Sequence, residues 1–144
     1  MNKWDKKFIK LSQHIAEWSK DTNKKVGAVI VDSDNAVLSM GYNGIPMGCD
    51  DSVESRLDKP DKYLFTEHAE RNAIYHAARH GVSLKGCSLY VTLFPCADCA
   101  RAVIQCGIIK IMAPEPNLEH EVWGKQFKAA IEMMNEANIV VNLI

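Results

Sequence analysis

The chain has 144 residues, the size of about one domain, with 47% hydrophobic and 24% charged residues, enough to bury a core without staples. Seventeen basic and eighteen acidic residues leave a formal charge of −1. No global field exists to hold polymeric nucleic acid or an anionic membrane, although a small anion needs only a local basic pocket. No apolar run approaches the roughly 20 residues that cross a bilayer, no apolar h-region follows the start, and five cysteines cannot all pair within one chain. The expectation is a single domain over residues 1–144 in a reducing cytoplasm.

Trp4, Phe8, Leu11, Ile15 and Trp18 form one apolar stripe, which predicts a helix from Asp5 to about Ser19 with both tryptophans in the core. Val26–Val31 and Ala36–Tyr42, separated by Asp32-Ser-Asp-Asn35, predict an antiparallel hairpin. From Asn43 to about Tyr63 glycine, proline and aspartate predominate without periodicity, marking a long loop of the kind that carries function. Ala69, Ala73, Ile74, Ala77 and Ala78 predict a small-faced helix from Glu67 to His80, ended by Gly81. A β-α-β unit follows: strand Cys87–Phe94, helix Ala97–Cys106, strand Ile108–Met112. Helix Val122–Ala137 and strand Ile139–Leu143 complete a layered α/β domain around a five-stranded sheet.

The residues with most chemistry are His68-Ala-Glu70 and Pro95-Cys96-Ala-Asp-Cys99, both at starts of predicted helices. One imidazole and two thiolates make a three-ligand zinc site with a fourth position open to water, the mark of catalytic zinc. Glu70, two residues past His68, reaches that position without being a ligand, and helix N-termini favour thiolate at Cys96 and Cys99. Separately, Cys-x-x-Cys also suits a redox pair or half a zinc knuckle, and a His or Glu at a helix start also suits a cap. Together, His-x-Glu and Pro-Cys-x-x-Cys make the zinc deaminase signature, in which the Glu is general acid and base.

Four segments widen this to a family resemblance: Ser19–Ile30, Gly41-Tyr-Asn-Gly44 with Gly48-Cys-Asp-Asp51, Glu67–Ile74, and Gly86–Ala100 continuing to Gly107. In this order they resemble the cytidine and deoxycytidylate deaminase superfamily, above all the deoxycytidylate (dCMP) deaminases. The resemblance implies a three-layer α/β/α cytidine-deaminase-like fold with a five-stranded mixed sheet, and zinc on His68, Cys96 and Cys99. It also implies Glu70 as proton shuttle in the hydrolysis of a small pyrimidine nucleotide. Asn43 is then expected at the sugar, backbone at Ala69 and Pro95 at the base, and Ser19 and Lys25 at the phosphate. A homo-oligomer, dimer or hexamer, is a further implication.

The segment Pro114–Gly124 falls outside the resemblance, and Cys49 stands alone in the long loop, short of a second metal set. Arg71 and Arg79 read either as phosphate contacts or as exposed helix arginines, and Trp123 as a pocket cover or an anchor for the last helix. The alternatives are a deaminase of another cytosine-like or aminopyrimidine compound, a tRNA adenosine deaminase, and a non-catalytic module with structural zinc. The second fits less well because Ala97-Asp98 stand between the cysteines. The third needs a fourth ligand and leaves Glu70 idle.

Overall fold

The structure is a computed structural model that describes all residues, 1–144. Helix α1 (Lys3–Ala16) starts two residues before the predicted Asp5, because Asn2 and Asp5 close a reciprocal capping box. It ends earlier than Ser19, because the N–H groups of Glu17, Trp18 and Ser19 each bond back three residues and tighten the chain out of the α pattern. Phe8 and Ile15 are buried as the stripe predicts, but Trp4 and Trp18 are exposed, which corrects their core placement. Trp18 lies beyond the last helical residue and meets Tyr42 edge-on, while Trp4 stacks on Phe8 from the first turn.

Strands β1 (Gly27–Val31), β2 (Val37–Tyr42), β3 (Ser88–Val91), β4 (Lys110–Ala113) and β5 (Val140–Leu143) form one sheet in the order β2-β1-β3-β4-β5. β1 pairs antiparallel with β2 and β3, whereas β3–β4 and β4–β5 are parallel, so the sheet is mixed. The long loop contains a 3₁₀ turn at Glu54–Leu57 and helix α2 (Lys62–Phe65). Helices α3 (Ala69–Arg79), α4 (Ala97–Gln105) and α5 (Gly124–Glu136) follow close to their predicted bounds.

Alternation along the strands builds two cores. Val29, Val31, Tyr90 and Met112 pack with Phe8 and Ile15 of α1. Ala28, Ile30, Leu89, Val91 and Ile111 face the opposite way, into the larger core that holds Ala69, Ala73 and Ala77 of α3, Ala100 and Val103 of α4, and Phe127 of α5. The result is three layers, α/β/α, with β1 buried on both faces.

The small face of α3 is therefore used within the chain. A Cβ on Gly41 would stand 2.5 Å from the amide nitrogen of Ala73 and 2.6 Å from the carbonyl oxygen of Ala69, so only glycine lets β2 lie directly on the helix backbone. α3 also covers the open edge of β2. Asn43 N–H bonds to the Val26 carbonyl, so by alternation Met40 and Tyr42 turn their carbonyls outward. Asn72 Nδ2 donates to Tyr42 and His76 Nδ1 to Met40, at 2.8 Å each.

Candidate metal centre

Helices α3 and α4 each begin on a residue with metal-binding chemistry. His68 and Cys96 occupy the N-cap positions in extended backbone, and neither side chain is spent on capping its own helix. Cys99 comes one turn into α4. His68 Nδ1 lies 3.5 Å from Cys96 Sγ and 3.4 Å from Cys99 Sγ, and the three donor atoms all fall within 4.8 Å of one another. A tetrahedral zinc ion with ordinary Zn–S and Zn–N bonds places N and S about 3.5 Å apart, so the donor set fits zinc as it stands. No fourth His, Cys, Asp or Glu joins the group.

The electrostatics are those of a site made for a cation. The Cys96 thiol is pulled down to about 4 by the Cys99 thiol that donates to it and, against the cost of burial, by His68. The same shared proton, together with burial, pushes Cys99 up. His68 is raised by its bond to Cys96 despite burial, with Glu70 adding to the effect. Glu70, in the first turn of α3, is 4% exposed. Burial pushes its carboxyl up, opposed by His68 and the Cys99 thiol, and it stands beside the three donors without belonging to them.

Further contacts lock the two helix starts together. Arg71 bonds Glu67 at 2.6 Å and reaches Asp98 of α4 at 3.4 Å, while Asp98 also pairs with Arg101. Glu67 additionally accepts the His68 N–H at 2.9 Å. Arg71 is thus an internal cross-link, and Arg79 contacts Met47 in the long loop. α5 approaches from the other side, where Gln126 accepts the Ala97 N–H at 3.2 Å. Trp123, its N-cap residue, sits edge-on to His68 with ring centroids 6.1 Å apart and lies 6.0 Å from Tyr63. His120 Nδ1 accepts the N–H groups of Val122 and Trp123, and a Cβ on Gly124 would meet the Leu118 carbonyl at 2.3 Å, so the turn folds back tightly. The segment Pro114–Gly124 therefore delivers Trp123 to the edge of His68 and anchors the start of α5.

The other candidates lie along the loop after α1 and the head of the long loop. Asn43 is buried; its Oδ1 accepts the Val26 N–H at 2.8 Å and its Nδ2 donates to the Lys24 carbonyl at 2.9 Å. Ser19 is also buried, donating to the Asn43 carbonyl at 2.7 Å and accepting from the Asp21 N–H at 3.2 Å. Its hydroxyl is engaged inside the fold, whereas Lys25 is exposed. Ala69 and Pro95 are fully buried beside His68 and Cys96. Cys49 is exposed and lies outside the donor group. Sequence reading did not identify Tyr63, Gln126, Lys62 or Asp21. Of these only Asp21 carried a local signal, as a short carboxylate in the Ser19–Lys25 turn.

An open three-donor centre with a buried carboxyl beside it, set on an α/β/α frame, is the arrangement of a catalytic rather than a structural zinc site. Residues 2–114 match the family described as cytidine and deoxycytidylate deaminase zinc-binding region, and the chain belongs to that family. An Aliivibrio fischeri protein described as "Uncharacterized deaminase in luxG 3'region" is 39% identical over 142 residues, covering 98% of this chain and 93% of that one. The Homo sapiens deoxycytidylate deaminase is 43% identical over 116 residues, 76% of this chain and 63% of the human protein, so the match spans less than two thirds of the latter's length. Among solved structures, the dCMP deaminase of cyanophage S-TIM5 in complex with dCMP and dUMP superposes with a TM-score of 0.77 at 26% identity, covering 100% of this chain and 99% of that one. His68, Cys96 and Cys99 are the zinc ligands that this family membership and the donor geometry together define.

Proposed function

We propose that the chain hydrolyses the exocyclic amine of a cytosine nucleotide, dCMP, consuming one water and yielding dUMP and ammonia. The observation that carries this reading is Glu70, a buried carboxyl beside three metal donors and outside their set. That placement suits a proton carrier and leaves a structural zinc module without its fourth ligand. The relatives described as deoxycytidylate deaminases and the solved structure holding dCMP and dUMP support the substrate.

Zinc held by His68, Cys96 and Cys99 would supply the Lewis acidity that makes water nucleophilic near neutral pH. Glu70 takes a proton from the attacking water and passes it to ring N3 as C4 becomes tetrahedral, then takes the remaining hydroxyl proton and hands it to the amine as the C4–N bond breaks. Backbone at Ala69 and Pro95 frames the base, and Trp123 with Tyr63 screens it from bulk water. Asn43 serves the sugar, and the Ser19–Lys25 loop serves the phosphate, with Lys25 as its point charge.

The chain is read further as a homo-oligomer, dimer or hexamer, in a reducing cytoplasm. The exposed Trp18, Met40, Tyr42 and Tyr75 and five free cysteines support those readings. Sedimentation tests the first; a monomeric mass with full activity rejects it.

Ammonia release from dCMP, deoxycytidine and cytosine, by wild type and Lys25→Ala, tests the substrate. The expected order is dCMP above deoxycytidine above cytosine, with Lys25→Ala raising KM for dCMP alone. Equal use of nucleoside and nucleotide, or of neither, favours another aminopyrimidine, a reading to which the Pro114–Gly124 wall lends itself.

A further inference from the structure

The most buried ion pair in the molecule lies away from the metal donors. Asp21 Oδ2 meets Lys62 Nζ at 2.9 Å, with side-chain exposures of 1% and 13%. The other oxygen, Oδ1, is engaged by its own turn, accepting the N–H groups of Asn23 at 2.8 Å and Lys24 at 3.0 Å. Oδ2 also accepts from Asn43 Nδ2 at 3.4 Å. Asn43 opens the long loop and Lys62 stands near its end, so one carboxylate oxygen holds both ends of that loop. Burying a charge in this way is costly unless it is paired and hydrogen-bonded, and here the carboxylate is both.

Its consequence lies one residue further on. Tyr63 follows Lys62 and packs against Trp123, whose edge faces His68. We propose that Asp21 is a positioning residue that pins the two ends of the loop over residues 43–62 and so sets the aromatic wall of the substrate mouth. The reactive groups are held separately, because His68 and Glu70 start α3 and Cys96 and Cys99 start α4, joined by Arg71 to Asp98. Loosening the pin therefore opens the mouth and leaves the proton carrier in place. In kinetic terms it weakens substrate binding more than turnover; this reading of the mouth rests on the function proposed above.

The test uses zinc-loaded Asp21→Asn, Lys62→Met and the double variant. Lys62→Met retains the stem and removes only the ammonium. Each single variant is expected to raise KM for dCMP about tenfold with kcat within about threefold, and the double to be no worse than the worse single, because both remove one interaction. Zinc content stays that of wild type, and limited proteolysis without substrate cuts within 44–61 faster in all three variants. An unchanged KM at full zinc content, a loss confined to kcat, or additive effects in the double overturns the proposal. If Asp21→Asn does not fold, Lys62→Met decides by the same criteria. If wild type does not turn over dCMP, the substrate reading fails and proteolysis decides alone: unaccelerated cleavage in Lys62→Met overturns the pin.

Discussion

Trp123 stands edge-on to His68, their ring centroids 6.1 Å apart, although it lies beyond residues 2–114, the part matched by the family. An edge-to-face pair of this kind contributes about 0.5–1.5 kcal/mol beyond area burial, and here it also shields a metal donor. Trp123→Ala is expected to keep its zinc while KM for substrate rises several-fold, and Trp123→Phe to restore most of the loss. Steady-state kinetics with zinc analysis checks this; wild-type KM in the alanine variant contradicts it.

Glu70→Gln keeps the shape of the side chain and removes its proton-carrying capacity. The expected outcome is full zinc content with turnover lowered by about 10² to 10⁴, the usual range for loss of a general acid and base. Retained turnover contradicts the proton-shuttle role, and lost zinc reveals a structural part for this carboxyl.

Replacing Cys96 and Cys99 together with alanine removes both sulfurs of the donor set, leaving His68 as the remaining ligand. Elemental analysis should find wild type carrying zinc and the double variant essentially none. A chelator that strips wild type should lower its melting temperature, since metal bound only by the folded state stabilises it by mass action.

Acid should destabilise the fold through two buried carboxylates, Asp5 and Asp21. Burial works against the charged form of Asp5, but the N–H of Asn2, the Tyr90 hydroxyl and Lys110 together hold its carboxyl below the ordinary value. Burial likewise opposes the charge of Asp21, and Lys62 with the N–H groups of Lys24 and Asn23 brings that carboxyl down. A carboxyl lowered in the folded state contributes stability that is present above its unfolded value near 4 and is lost as pH falls through the folded one. Denaturation midpoints should therefore fall below about pH 4. Asp5→Asn, on the opposite face of the sheet from the zinc donors, should flatten that fall without changing metal content.

The chemistry was legible because its residues are local. His68 and Cys96 sit at helix starts, the second announced by Pro95, and Glu70 and Cys99 follow within a turn. The β-branched run Val26–Val31 likewise foretold the first hairpin strand, which forms as β1. What escaped depended on separations a periodicity cannot carry. Asp21 and Lys62 are 41 residues apart, and Ala97 and Gln126 are 29. The small face of α3 suggested close packing, but the partner is Gly41 inside the same chain. Trp18 continued the stripe of α1 in number only, because three successive tightened turns end the helix before it.

The cover that α3 lays over β2 makes the sheet one-sided as a template for aggregation. A foreign strand arriving at β2 finds the outward oxygens of Met40 and Tyr42 already taken by His76 and Asn72, so the backbone ladder it would extend has no free acceptors there. β5 has no such guard: Val140 and Ile144 direct their amides toward β4, which turns those of Val141 and Leu143 outward, and the apolar Val140, Leu143 and Ile144 are exposed. Strand-to-strand polymerisation of partly melted protein is thereby directed to the carboxyl-terminal edge, far in sheet order from the strand that carries the glycine contact with the zinc helix.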